Sequence, residues 1–164
     1  MPDAMNVVPS AEAVKTGVRD VKPVAQGLTG VLADTYRMIF KTHAYHWNVE
    51  GPMFFSVHNL TEVQYEDMFA AADTIAERIR ALGQLAPMQM SEIMDASVIK
   101  DLPKVASAQA MVEDLVSDHE KVAKRLHDVV ELAEKHKDPV TADLLTGRSA
   151  FHEKAAWMLR ATAK

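Results

Sequence analysis

Apolar positions recur along the chain at the spacing of helix faces. Leu28, Leu32, Ile39, His43 and His46 share one face, interrupted by Thr35. Pro23 suits the first turn of that helix because it has no N–H to leave unpaired, and Gly51-Pro52 should end it. A second helix is expected from about Met53 to Leu82, closed by Gly83. Residues 84–103 form a connection rich in Met and Pro, with Ser91-Glu92-Ile93-Met94 able to make a short helix inside it. Pro103 is expected to open the third helix. Its stripe is regular: Ala108, Val112, Leu115, His119, Val122, Leu126, Val129 and Ala133. Asp138-Pro139 breaks the pattern, and a fourth helix should present Val140, Leu144, Phe151, Ala155 and Met158 on one side. No stretch alternates as a strand would. The pattern predicts an all-α four-helix bundle over residues 23–164, preceded by a weakly patterned tail at 1–22, with the connection between the second and third helices crossing the bundle.

Composition narrows the chemistry. The chain has 164 residues with 48% hydrophobic and 25% charged positions, enough for a real core in one domain. Cysteine is absent, so a metal would have to be held by His, Asp and Glu, donors that suit hard or borderline ions such as iron. The formal charge of -5 supplies no global basic field for nucleic acid. The N-terminus lacks a charged-then-apolar secretory pattern, and no apolar run is long enough to span a bilayer. A cytoplasmic protein without a membrane partner is therefore expected.

The second helix carries His58, Glu62, Asp73 and Glu77. Each adjacent pair is spaced i, i+4, and all four fall within an arc of about 100°. His58 and Asp73 nevertheless lie about 22 Å apart along an intact helix at 1.5 Å rise per residue. One chain cannot bring both to one ion. Two chains can, if the helix lies antiparallel against its own copy. A single twofold axis between Asp67 and Met68 sets His58 opposite Glu77 and Glu62 opposite Asp73 at once. An isologous dimer would then hold two equivalent sites, with His46 folding back toward His58 as a further ligand. Acids at i, i+4 more commonly mark a solvated face, and Arg78 and Arg80 offer them surface ion pairs. Against this, Met68, Phe69, Ala70, Ala71 and Ala72 form an apolar patch between the two pairs. No Glu-x-x-His occurs anywhere in the chain, which argues against a di-iron centre inside one bundle.

The run His46-Trp47-Asn48-Val49-Glu50-Gly51-Pro52-Met53-Phe54-Phe55-Ser56-Val57-His58 resembles the signature of the Dps family of mini-ferritins. So do Asp73-Thr74-Ile75-Ala76-Glu77-Arg78, Thr141-Ala142-Asp143-Leu144-Leu145 and Trp157-Met158-Leu159, over roughly residues 24 to 161. The resemblance implies a ferritin-like bundle that assembles from twofold dimers into a hollow homo-dodecamer. It also implies a ferroxidase that oxidises Fe(II), usually with hydrogen peroxide, and stores the ferric mineral. It places metal ligands at His46, His58, Glu62, Asp73 and Glu77, with Trp47 beside the site as an acceptor of an oxidising equivalent or as a core residue. Glu62 stands where many members have Asp.

Other residues have weaker claims. His43 continues the face of His46, as an accessory ligand or a hydrogen-bonded helix histidine. His119 is expected to be a hydrogen-bonded core residue, and the ten methionines core filler. Asp138 and Asp143 fall where this family lines its acidic threefold pores, although a helix N-terminal acid explains Asp138 equally well. DNA protection is the alternative function. The tail sets Lys15, Arg19 and Lys22 against Asp3, Glu12 and Asp20, and Arg148, Lys154, Arg160 and Lys164 form no run, so phosphate binding is weakly supported.

Overall fold

In a computed structural model that describes residues 4–164, Asp20 begins the first long helix by accepting a hydrogen bond from the Lys22 amide. This helix, α1, spans Val21–Asn48. A tight loop reverses the chain into α2, Phe54–Ala81, which Gly83 closes in the left-handed region at φ +77°. A Cβ at Gly83 would also meet the Ala13 backbone at 2.4 Å, so the residue answers both to the turn and to the tail lying against it. The Val14 amide donates to Ala81 O and the Arg19 amide to His136 O, which ties residues 13–19 to the bundle.

The connection carries α3, Met90–Ala96, where Gln89 and Glu92 form a reciprocal capping box. The third long helix, α4, is Ala108–Lys135 and the fourth, α5, is Pro139–Thr162. No strand occurs among the described residues. Thus α1–α2 and α4–α5 are antiparallel hairpins joined by a crossover. Pro103 does not open α4 as the sequence suggests. It sets only φ, whereas the Ser107 hydroxyl accepts from the Ala110 amide and caps the helix four residues later.

Buried charge anchors the crossover, which has few backbone hydrogen bonds of its own. Asp34 accepts from the Ser97 hydroxyl and the Val98 amide, each at 2.8 Å, and pairs with Arg125 at 3.0 Å. Arg125 also donates to Gly30 O and Ala96 O. Lys41, almost fully buried, donates to Lys100 O and pairs with Asp114 and Asp118. Truncating one member of such a set leaves the others charged and dry, which costs far more than a surface pair is worth.

The predicted α4 stripe forms one wall of the core: Val112, Leu115, His119, Val122, Leu126, Val129 and Ala133 are all buried. On α5 the expected face is one position off. Thr141, Leu145, Ser149, His152, Ala156 and Leu159 turn inward, while Val140 and Met158 are exposed. Ala155 of the expected face is buried too, and three of the eight buried positions are polar, so the apolar pattern pointed toward the flank of the helix. No helix among the described residues is long and apolar enough to cross a membrane.

Candidate metal centre

The loop between α1 and α2 folds His46 onto His58. The Nδ1 of His46 lies 2.8 Å from the carbonyl oxygen of His58, and the Nδ1 of His58 lies 2.9 Å from that of His46. A carbonyl can only accept, so both Nδ1 atoms carry the proton. That fixes the tautomer and leaves each Nε2 with a free lone pair for a metal. The rings stack at 3.7 Å between centroids and 17° between planes, with Phe54 stacked on the outer side of His58 at 4.9 Å.

Glu62 follows His58 by one turn on the same face of α2 and is half-buried. Asp73 and Glu77 are exposed toward the other end of the helix. The structure therefore brings together His46 and His58, with Glu62 adjacent, and does not bring Asp73 or Glu77 to them. Among the described residues of one chain, no three His, Asp or Glu side chains are placed to hold a metal ion.

The acids are not consumed by the neighbouring arginines. Arg78 turns away to donate to Thr141 Oγ1 and Asp138, and Arg80 donates to Gln84 O and Ser10 O. Glu62, Asp73 and Glu77 enter no ion pair among the described residues. The apolar patch between them divides. Met68, Ala71 and Ala72 enter the chain's own core, while Phe69 and Ala70 face outward. Phe69 is 65% exposed and Phe55 77%, both on the stripe that carries the four polar residues.

Trp47 is not a core residue of this chain. It is 57% exposed and lies against His43 in a tilted contact at 4.0 Å, while Tyr65 stacks on the same imidazole at 4.2 Å and stands edge-on to His46. His43 is therefore held by two aromatic rings. Sequence reasoning missed Tyr65 and Phe54. The signal was present, since Tyr65 follows His58 by two helical turns and Glu62 by three residues, which places it beside them.

Asp138 is not available to line a pore. It is fully buried, caps α5 through the Thr141 amide, accepts from the Thr141 hydroxyl and pairs with Arg78 at 2.7 Å. Burial alone would raise its pKa. The Thr141 and Arg78 contacts outweigh that and hold the carboxyl below its usual value. Asp143 remains exposed. Asp138→Ala should cost roughly 3 kcal/mol of stability, since it strands Arg78 and uncaps the helix. A denaturant midpoint unchanged by this substitution would remove Asp138 from the structural account.

A family model described as a ferritin-like domain matches residues 25–164. A low temperature-induced protein of Nostoc sp. is 43% identical over 131 residues, covering 79% of this chain and 73% of that protein. DNA protection during starvation protein 2 of Bacillus anthracis is 37% identical over 140 residues, covering 85% of this chain and 96% of that one. The structure of a Dps protein from Vibrio cholerae O1, described as belonging to a broad superfamily of ferritin-like diiron-carboxylate proteins, superposes with a TM-score of 0.82. The identity is 29%, over 88% of this chain and 91% of that one.

Proposed function

Since the chain belongs to the Dps family of mini-ferritins, we propose that it oxidises Fe(II) with hydrogen peroxide at sites shared between two subunits, and stores the ferric product inside a dodecameric cage. The observation that carries this reading is the division of one outward face of α2. His58 and Glu62 gather at one end with His46 of α1 folded onto His58, Asp73 and Glu77 stand at the other without an ion pair among the described residues, and exposed Phe55 and Phe69 lie along the same stripe. Apolar side chains on a ligand-bearing face are explained if the face is covered, and an antiparallel copy of α2 covers it while completing two sites.

In this arrangement the Nε2 atoms of His46 and His58, with Glu62, bind from one subunit, and Asp73 and Glu77 come from the partner. Carboxylates stabilise Fe(III) relative to Fe(II), so the set favours oxidation. Two Fe(II) ions each give up one electron. The O–O bond of peroxide takes both, and with two protons it leaves as two waters. Paired delivery leaves no hydroxyl radical. Trp47 and Tyr65 flank the site and are placed to give up an electron if only one iron is bound.

Anaerobic loading with Fe(II), followed by peroxide and read by ferric absorbance, tests the reaction. About two Fe(II) should be oxidised per peroxide consumed, with little spin-trap signal. One Fe(II) per peroxide with a strong radical signal would overturn the paired site.

A further inference from the structure

The bundle interior holds a polar layer that the metal centre does not use. Thr42 on α1, Gln64 on α2, and His119 on α4 are each at least nine-tenths buried. The Thr42 hydroxyl, both ends of the Gln64 amide and Nε2 of His119 have no hydrogen-bond partner among the described residues. Other helical threonines, such as Thr35, Thr61 and Thr146, donate to the carbonyl one turn back, whereas no such bond is seen for Thr42. Leaving such groups dry costs the desolvation of each, so an orphan set at one level calls for an occupant.

The helices bring these groups to one level. The α1–α2 register that stacks His46 on His58 and His43 on Tyr65 sets Thr42 level with Gln64. The α2–α5 register that carries Arg78 to Asp138 and Arg148 to Asp67 sets Gln64 level with His152. His152 meets His119, Nδ1 to Nδ1, at 2.8 Å.

We propose that Thr42, Gln64 and His119, with His152, line an internal site in each bundle that binds ordered water. A cation does not fit. No carboxylate is hydrogen-bonded to either imidazole among the described residues, and the Arg148 guanidinium, held on Asp67, lies one turn along α5 from His152. An anion does not fit either, because it brings no proton. In a neutral pair one Nδ1–H donates to the other Nδ1. With His119 as donor its Nε2 is an acceptor, and Gln64 Oε1 is another. Water both donates and accepts, and typically makes about three bonds in such places. The site is distinct from the shared metal centre and survives if that reading fails.

Two measurements on the assembled wild-type and variant proteins decide it. A high-resolution crystal structure should show solvent density within hydrogen-bond distance of Gln64 and His119. Direct Gln64–His119 bonding, a dry contact, or a bromide anomalous peak there after a halide soak would each overturn the proposal. Gln64→Met keeps the shape and removes the polarity. If water is bound, the loss of its partner should lower the thermal midpoint by about 3 °C or more, and Thr42→Val should lower it in the same direction. A dry site predicts the opposite sign, since each substitution then removes an unsatisfied buried group, and a raised midpoint refutes hydration.

Discussion

Chains carrying His58→Ala, mixed and reassembled with chains carrying Asp73→Ala, should regain ferroxidase activity that neither has alone. In the proposed arrangement each homodimer lacks a ligand at both of its sites, because the proposed twofold puts His58 and Glu62 of one chain against Asp73 and Glu77 of the other. In a mixed dimer one site collects both lesions and the other collects none. Random isologous pairing makes about half of the dimers mixed, so about a quarter of all sites recover. A centre within one chain predicts no recovery at any mixing ratio. The geometry makes the contrast sharp. His46 and His58 are already locked together by reciprocal backbone bonds, and no third carboxylate or imidazole of the same chain completes them among the described residues. Activity of the mixture no higher than that of the parents, with mixed dimers verified by mass spectrometry, sinks the shared site.

The half-site was legible because helical spacing is a strict ruler. Four ligand-type residues lie within one arc of one helix, and His58 and Asp73 are about 22 Å apart at 1.5 Å rise, so the four can serve a single ion only across two chains. The short loop after the first helix already suggested His46 as a further ligand. What spacing could not show was that His46 and His58 fix each other's tautomer, because that depends on how the loop at residues 49–53 turns. Nor could it assign Asp138. A sequence contains the acid and the proline after it, but only packing puts Arg78 within 2.7 Å and closes the carboxylate off from solvent.

The fold was readable in proportion to how apolar each inner face is. α4 buries the stripe its sequence displays, since its only inward histidine, His119, sits among Val, Leu and Ala. α5 was read one position off because its inner face includes Thr141, Ser149 and His152, while Val140, Trp157 and Met158 face outward. Outward apolar residues on α5, like Phe55 and Phe69 on α2, are expected of a subunit whose surface is covered by other copies. In the proposed assembly, the hydrophobicity of one chain therefore mixes the core signal with the assembly signal. The start of α4 was missed for a local reason, since capping by Ser107 outweighs the dihedral preference of Pro103.

Acid should unfold the bundle through the buried histidine pair. His119 and His152 are almost wholly enclosed. Desolvation, with the Arg148 charge nearby, holds His119 down to about 3 and His152 well below the usual value; for His152 the neighbouring His119 adds to it. Folded pKa values below the unfolded value of about 6.5 mean that the unfolded chain binds more protons. The stabilisation is therefore fully present above about pH 6.5 and is lost as pH falls toward the folded values. For His119, held near 3, the loss from pH 6 to pH 4 is roughly 2–3 kcal/mol, and His152 adds to it in the same direction. Asp34 acts the other way in the carboxylate range, because burial raises its pKa and its protonated form is favoured in the fold. The comparison that isolates the histidines is the pH dependence of the unfolding free energy in wild type against His119→Leu/His152→Leu. The wild-type curve should fall more steeply between pH 6 and 4, whatever the absolute stability of the variant. Parallel curves, or a wild-type free energy that is flat over that range, would show that the pair accepts protons without opening the core.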